Sequence, residues 1–113
     1  MTPALIEVTV TCPDDACAST IARHLVEERL VACANIGPAI TSLYRWKGTL
    51  EEDREVILTL KTRQHLFDVL CARIGELHPY EVAAILAWPL ALVSQDYADW
   101  VLSETLASSS YKS

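Results

Sequence analysis

The sequence predicts one α+β domain, a ferredoxin-like split βαβ sandwich with a long β-hairpin at its centre and a further helix at its C-terminal end. Three observations predict it. Segments of period two and period 3.6 follow one another in the order strand, helix, strand, strand, helix, strand. Between residues 40 and 62, two alternating runs flank a break at Lys47-Gly48, which reads as a hairpin. The 113 residues leave room for one core, and no repeat or linker divides them. Residues 1–106 are therefore read as the domain and residues 107–113, rich in serine, as a polar tail.

Each element has its own warrant. In residues 4–12, Ile6, Val8, Val10 and Cys12 alternate with Leu5, Glu7, Thr9 and Thr11, and Pro13 ends the strand. Asp14 or Asp15 can cap a helix running to about Leu30, with Ala18, Ile21, Ala22, Leu25 and Arg29 inward and Arg23, His24, Glu27 and Glu28 outward. Residues 31–36 are short, apolar and β-tolerant, with Gly37-Pro38 as a closing turn. The hairpin follows, and Glu51-Glu52-Asp53 reads as a solvated part of its loop. Residues 63–77 return to the helical period through Phe67, Leu70, Ile74 and Leu77, and Pro79 stops them. Residues 83–93 are almost wholly apolar, yet Pro89 cannot donate to a ladder, so this strand belongs at an edge. A last helix begins at Asp96, with Tyr97, Trp100 and Val101 spaced to pack inward.

Composition and the hairpin both bear on partners. Eight-residue arms span about 26 Å, more than a domain of about 13 Å radius of gyration can hold, so one end projects. A bare two-stranded ribbon is marginal in water, so Tyr44 and Trp46 at that end are expected to pack on another copy of the chain, with ligand stacking as the alternative. Hydrophobic residues make up 51% of the sequence and mean hydropathy is +0.22, which fits an apolar surface covered by a partner. A net charge of −6 and nine scattered basic residues exclude a nucleic-acid-binding stripe. No run reaches the length of a membrane span, and the start lacks the pattern of a signal peptide, so a cytoplasmic location is expected. Cys12, Cys17, Cys33 and Cys71 show no C-x-x-C spacing and read as buried small hydrophobes rather than a structural zinc site.

Candidate chemistry is sparse. Lys61 at the end of one strand and Tyr80-Glu81 ahead of another could meet at a sheet edge or subunit cleft and hold a small anion; the alternative is a structural salt bridge with a satisfied tyrosine. His24 and His65 read as solvent-facing. No G-x-S-x-G elbow or phosphate-cradling glycine loop occurs. Cys12 or Cys33 with His78 as base would lack an oxyanion hole, so no enzyme is expected.

Five blocks in order carry a resemblance: Glu28-Arg29-Leu30-Val31-Ala32-Cys33-Ala34-Asn35, Ser42-Leu43-Tyr44-Arg45-Trp46-Lys47-Gly48, Glu55 through Lys61-Thr62, His78-Pro79-Tyr80-Glu81, and Tyr97 with Trp100. Together they resemble the CutA family of divalent-cation tolerance proteins from about residue 5 to residue 106. The resemblance implies a homotrimer whose hairpins pair between subunits, a cytoplasmic role in copper tolerance, and a likeness to trimeric PII signalling proteins. It also implies copper as the ion, through the cysteine ending the first strand and histidines near Pro-Tyr, which here leaves Cys12 and His78; no cofactor is required for folding, and further protein partners are unknown. Three positions depart from the pattern: Leu77 replaces the first of a histidine pair, Ala83-Ala84 replace Pro-Glu, and Ser94 replaces a common glycine. Thiolate with imidazole suits copper. The plainer alternative makes Cys12 a core thiol and His78 the cap of the second helix.

Overall fold

A computed structural model describes residues 3–107; the residues of the expected tail from Ser108 onward lie outside that range. The chain runs β1 (Leu5–Cys12), α1 (Asp15–Glu27), β2 (Cys33–Trp46), β3 (Thr49–Arg63), α2 (Phe67–Leu77), β4 (Ile85–Pro89) and α3 (Gln95–Glu104), with a short 3-10 turn at Gln64–Leu66. The four strands form one antiparallel sheet in the order β2-β3-β1-β4. Insertion of β3 between β1 and β2 is what splits the first βαβ unit, so the fold is the α+β arrangement the segment order predicts.

Strand alternation sorts the sheet into two faces. Val8, Val10, Cys12, Leu58 and Leu60 point to the side covered by α1 and α2, where Ile21, Leu25, Leu70 and Ile74 complete a fully buried core. Asp14 caps α1 by accepting the Cys17 N–H at 2.8 Å. The opposite face carries Glu7, Thr9, Thr11, Thr59 and Lys61 and is packed only near one end, where Ala98 and Val101 of α3 meet Leu5 and Ala32.

The hairpin is longer than its sequence pattern indicates. β2 does not end at Gly37-Pro38; it runs on through a cis Gly37-Pro38 bond, with a bulge between Ile36 and Ala39 that restores the register on β3. Glu51, Glu52 and Asp53 are correspondingly strand residues opposite Tyr44, Leu43 and Ser42, and the turn is Lys47-Gly48 alone. Both turn residues have positive φ, 50° and 82°, the requirement of a two-residue turn that matches strand twist. β1 pairs with β3 only as far as Val56, so the arm beyond it is a two-stranded ribbon. The molecule measures 47 × 30 × 24 Å.

Other boundaries shift for local reasons. α1 stops at Glu27 because Arg29 takes a left-handed φ of 61°, which removes Arg29 from the inward face and lets its carbonyl accept the Leu106 N–H at 3.0 Å. Glu28 also does not turn outward: its carboxylate receives a two-pronged hydrogen bond from Arg73 of α2, both contacts at 2.8 Å. Arg63 closes β3 instead of opening a helix, pairing with Leu5 and donating from Nε to Thr105 Oγ1 at 2.9 Å. β4 lies at the sheet edge, where Pro89 is tolerated. In α3, Ala98 and Val101 are the buried residues, and Trp100 is 43% exposed, stacked beside Tyr97.

Candidate functional site

The two candidate copper ligands lie at the same corner of the sheet. Cys12 ends β1 and His78 caps α2, its backbone N–H on the Ile74 carbonyl. The His78 ring reaches across to β1, where the carbonyl of Thr11 accepts from Nε2 at 2.8 Å. Nδ1 in turn accepts the Tyr80 N–H at 3.2 Å, so both ring nitrogens are engaged. The Cys12 thiol is fully buried on the helix side, and burial, reinforced by neighbouring Cys17, Glu55 and Asp14, pushes it up to about 12. To ligate a metal, a cysteine must be a thiolate and a histidine must offer a free ring lone pair. Within one chain the pair does not fit a resident ion as it stands, and among the described residues no group of three or more His, Cys, Asp or Glu is placed to hold one. Cys17, Cys33 and Cys71 are free and only half-buried, so the reading of all four cysteines as buried holds for Cys12 alone.

The second candidate set separates. Lys61 pairs with Glu7 across the β1–β3 rung at 3.2 Å, six residues along β3 from Glu55. Tyr80 and Glu81 instead face the hairpin arm. There they help line a cavity of about 500 Å³ with Thr11, Ser42, Tyr44, Trp46, Glu55, Val82 and Ala84. Its polar floor is Glu55, only 7% exposed, which accepts the Tyr80 hydroxyl at 2.8 Å. Beside it the Tyr44 hydroxyl donates to Asp53. Those carboxylates and partial burial hold both phenols above their usual range: Tyr44 is pushed up to about 12, first by its bond to Asp53, and Tyr80 is raised first by burial. At the mouth, Lys47 bridges to Glu81 at 3.4 Å and sits 5.5 Å from the Trp46 ring centroid.

Glu55 is not among the candidate residues the sequence offers, although a signal for it exists. With Lys47-Gly48 as the turn, odd-numbered β3 residues and even-numbered β2 residues from Ile40 onward share one face, which groups Glu51, Asp53 and Glu55 with Ser42, Tyr44 and Trp46. His24 is half-buried 3.6 Å from Glu28, and His65 is exposed.

The chain's neighbours among known proteins agree with the fold. The pattern of the CutA1 divalent ion tolerance protein family matches residues 6–104. The divalent-cation tolerance protein CutA of Thermus thermophilus is 48% identical over 98 residues, 87% of this chain and 95% of that protein. A CutA homolog of Xenopus laevis is 48% identical over 92 residues, and there the match spans 61% of the longer relative. The crystal structure of CutA1 from Oryza sativa superposes with a TM-score of 0.91 at 34% identity, covering 95% of this chain and 98% of that one. On the family match, these identities and the shared fold, the chain belongs to the CutA1 divalent ion tolerance family.

Proposed function

We propose that this chain serves divalent-cation tolerance as a cytoplasmic, non-catalytic homotrimer that responds to copper. The observation that carries the trimer is the uncovered apolar surface of the sheet and arm: on the open sheet face Leu86 and Trp88 are 58% and 44% exposed with Tyr44 and Trp46 half-open on the same side of the arm, and on the arm's other side Leu43 and Leu50 are 63% and 68% exposed. Apolar surface on a two-stranded ribbon and an edge strand is what a second copy covers. The copper reading is supported by the softness of a thiol and an imidazole at one corner, Cys12 and His78, which make a partial set that one chain alone does not complete. Because the thiol is protonated and the imidazole is engaged, the ion competes with protons and hydrogen bonds, and further ligands come from another subunit or solvent.

A second reading is favoured by the cleft: a PII-like trimer that senses a small ligand and requires no ion, with Tyr80 and Glu81 as contacts and Lys61 contributing only from outside it. Calorimetric titration of the reduced protein with Cu(I), Cu(II) and a panel of nucleotides separates the two. Copper binding that Cys12→Ser removes supports the first; nucleotide binding with copper binding indifferent to that substitution supports the second.

A further inference from the structure

We propose that the cleft between the hairpin arm and the segment after α2 binds a small organic cation, an ammonium group on an aromatic or apolar body, with Glu55 as the counter-charge and Tyr44, Trp46 and Tyr80 as walls. The volume, about 500 Å³, lies in the range that accommodates such molecules, and the lining has the composition of a ligand site, apolar and aromatic with a few convergent polar groups.

Charge decides the class of ligand. Glu55 is almost fully buried, and its partner is the neutral Tyr80 hydroxyl; among the described residues no lysine or arginine lies within ion-pair distance of it. Within the chain this carboxylate meets only a neutral hydroxyl, so an ammonium entering the cleft gains a charge-assisted hydrogen bond that no side-chain cation already occupies. Glu51 and Asp53 extend the same face of β3, and Glu81 stands at the mouth. The basic group nearby is Lys47, an exposed rim residue already paired with Glu81. An anion would meet repulsion here, which reverses the class expected from grouping Lys61 with Tyr80 and Glu81.

The walls point the same way. Aromatic faces attract cations through the ring quadrupole, and the chain itself places one there, the Lys47 ammonium 5.5 Å from the Trp46 centroid. Val82 and Ala84 supply the apolar side against which the ligand's body would lie. Tyr44 and Trp46 also belong to the arm assigned to the subunit contact, so the inference takes the cleft, which one chain lines by itself, to stay open beside that contact.

Three probes of one shape test it on the full chain: phenethylamine, phenethyl alcohol and phenylacetate, titrated by calorimetry and followed through the Trp46 indole resonance. The amine is expected to bind at least about tenfold more tightly than the alcohol, to move the Trp46 signal, and to lose that advantage in Glu55→Gln; phenylacetate is expected to bind weakest. Equal affinity for amine and alcohol, tighter binding of the acid, or no binding of the amine would overturn the proposal. All three rest on the parent protein and hold whether or not Glu55→Gln folds. Light scattering on the same samples reads the trimer separately, since amine binding by a monomer keeps the site and removes the trimer, and a trimer blind to the amine does the reverse.

Discussion

The His78 ring donates from Nε2 to the carbonyl of Thr11 at 2.8 Å, tying the end of α2 to the last turn of β1 next to Cys12. With Nδ1 occupied by the Tyr80 N–H, copper binding as proposed would have to displace hydrogen bonds at His78 and a proton at Cys12. Below the thiol's raised value, each ion bound releases that proton, so affinity rises with pH and falls by about a factor of ten per unit of acidification. Calorimetry across neutral pH is expected to give this slope. Cys12→Ser should remove most binding and His78→Ala weaken it, while Cys33→Ser and His24→Ala leave it unchanged. Leu77→His, at the half-buried last position of α2, should raise affinity about tenfold, ~1.4 kcal/mol. Cys12→Ser and His78→Ala both indistinguishable from the parent would mean the ion sits elsewhere.

The same raised thiol makes a chemical prediction. Moving from an ordinary value of 9.0 to about 12 cuts the thiolate fraction about a thousandfold at neutral pH, before any steric protection. Peptide mapping after brief iodoacetamide treatment should find Cys17, Cys33 and Cys71 labelled and Cys12 intact. The stability linkage has a definite sign: a neutral thiol favoured by the fold contributes fully below about pH 9, and the contribution is lost as pH rises towards about 12. Cys12→Ala should therefore flatten the loss of thermal stability in that alkaline window.

At the hairpin turn, Gly48 holds a φ of 82° and Lys47 a φ of 50°. Open space surrounds the position a Cβ would take at Gly48, so Gly48→Ala is expected to destabilise through backbone conformation alone, by about 1 kcal/mol. Lys47→Asn suits the left-handed region and should be neutral or slightly stabilising. Thermal melts of the two variants check the order.

Much of this architecture is legible in the sequence, and the gaps have physical causes. The β1 alternation, the Asp14 cap, the Lys47-Gly48 turn and the edge position of Pro89 are local signals, and they appear where expected. Gly37-Pro38 reads as punctuation, yet the sheet carries β2 through it by a bulge, because pairing with β3 continues on both sides. Glu51, Glu52 and Asp53 look like a solvated loop, and cross-strand pairing overrides that composition, with Tyr44 bonded to Asp53. The Glu28–Arg73 clamp joins two helices 45 residues apart, which no local pattern encodes. Tyr80 and Glu81 are adjacent in the chain and line one cleft together, whereas the separation of Lys61 and the burial of Glu55 depend on register between strands.

The central claim is that the arm and the open sheet face are covered by two further copies of the chain. Sedimentation or multi-angle light scattering on dilute, reduced protein measures this most directly. The account predicts three times the 12.5 kDa chain mass, unchanged on dilution because obligate interfaces bury core-like surface. It also predicts that Trp46→Ala, on the arm, weakens assembly more than Trp100→Ala, whose ring is 43% exposed on α3. A stable species of 12.5 kDa would contradict it.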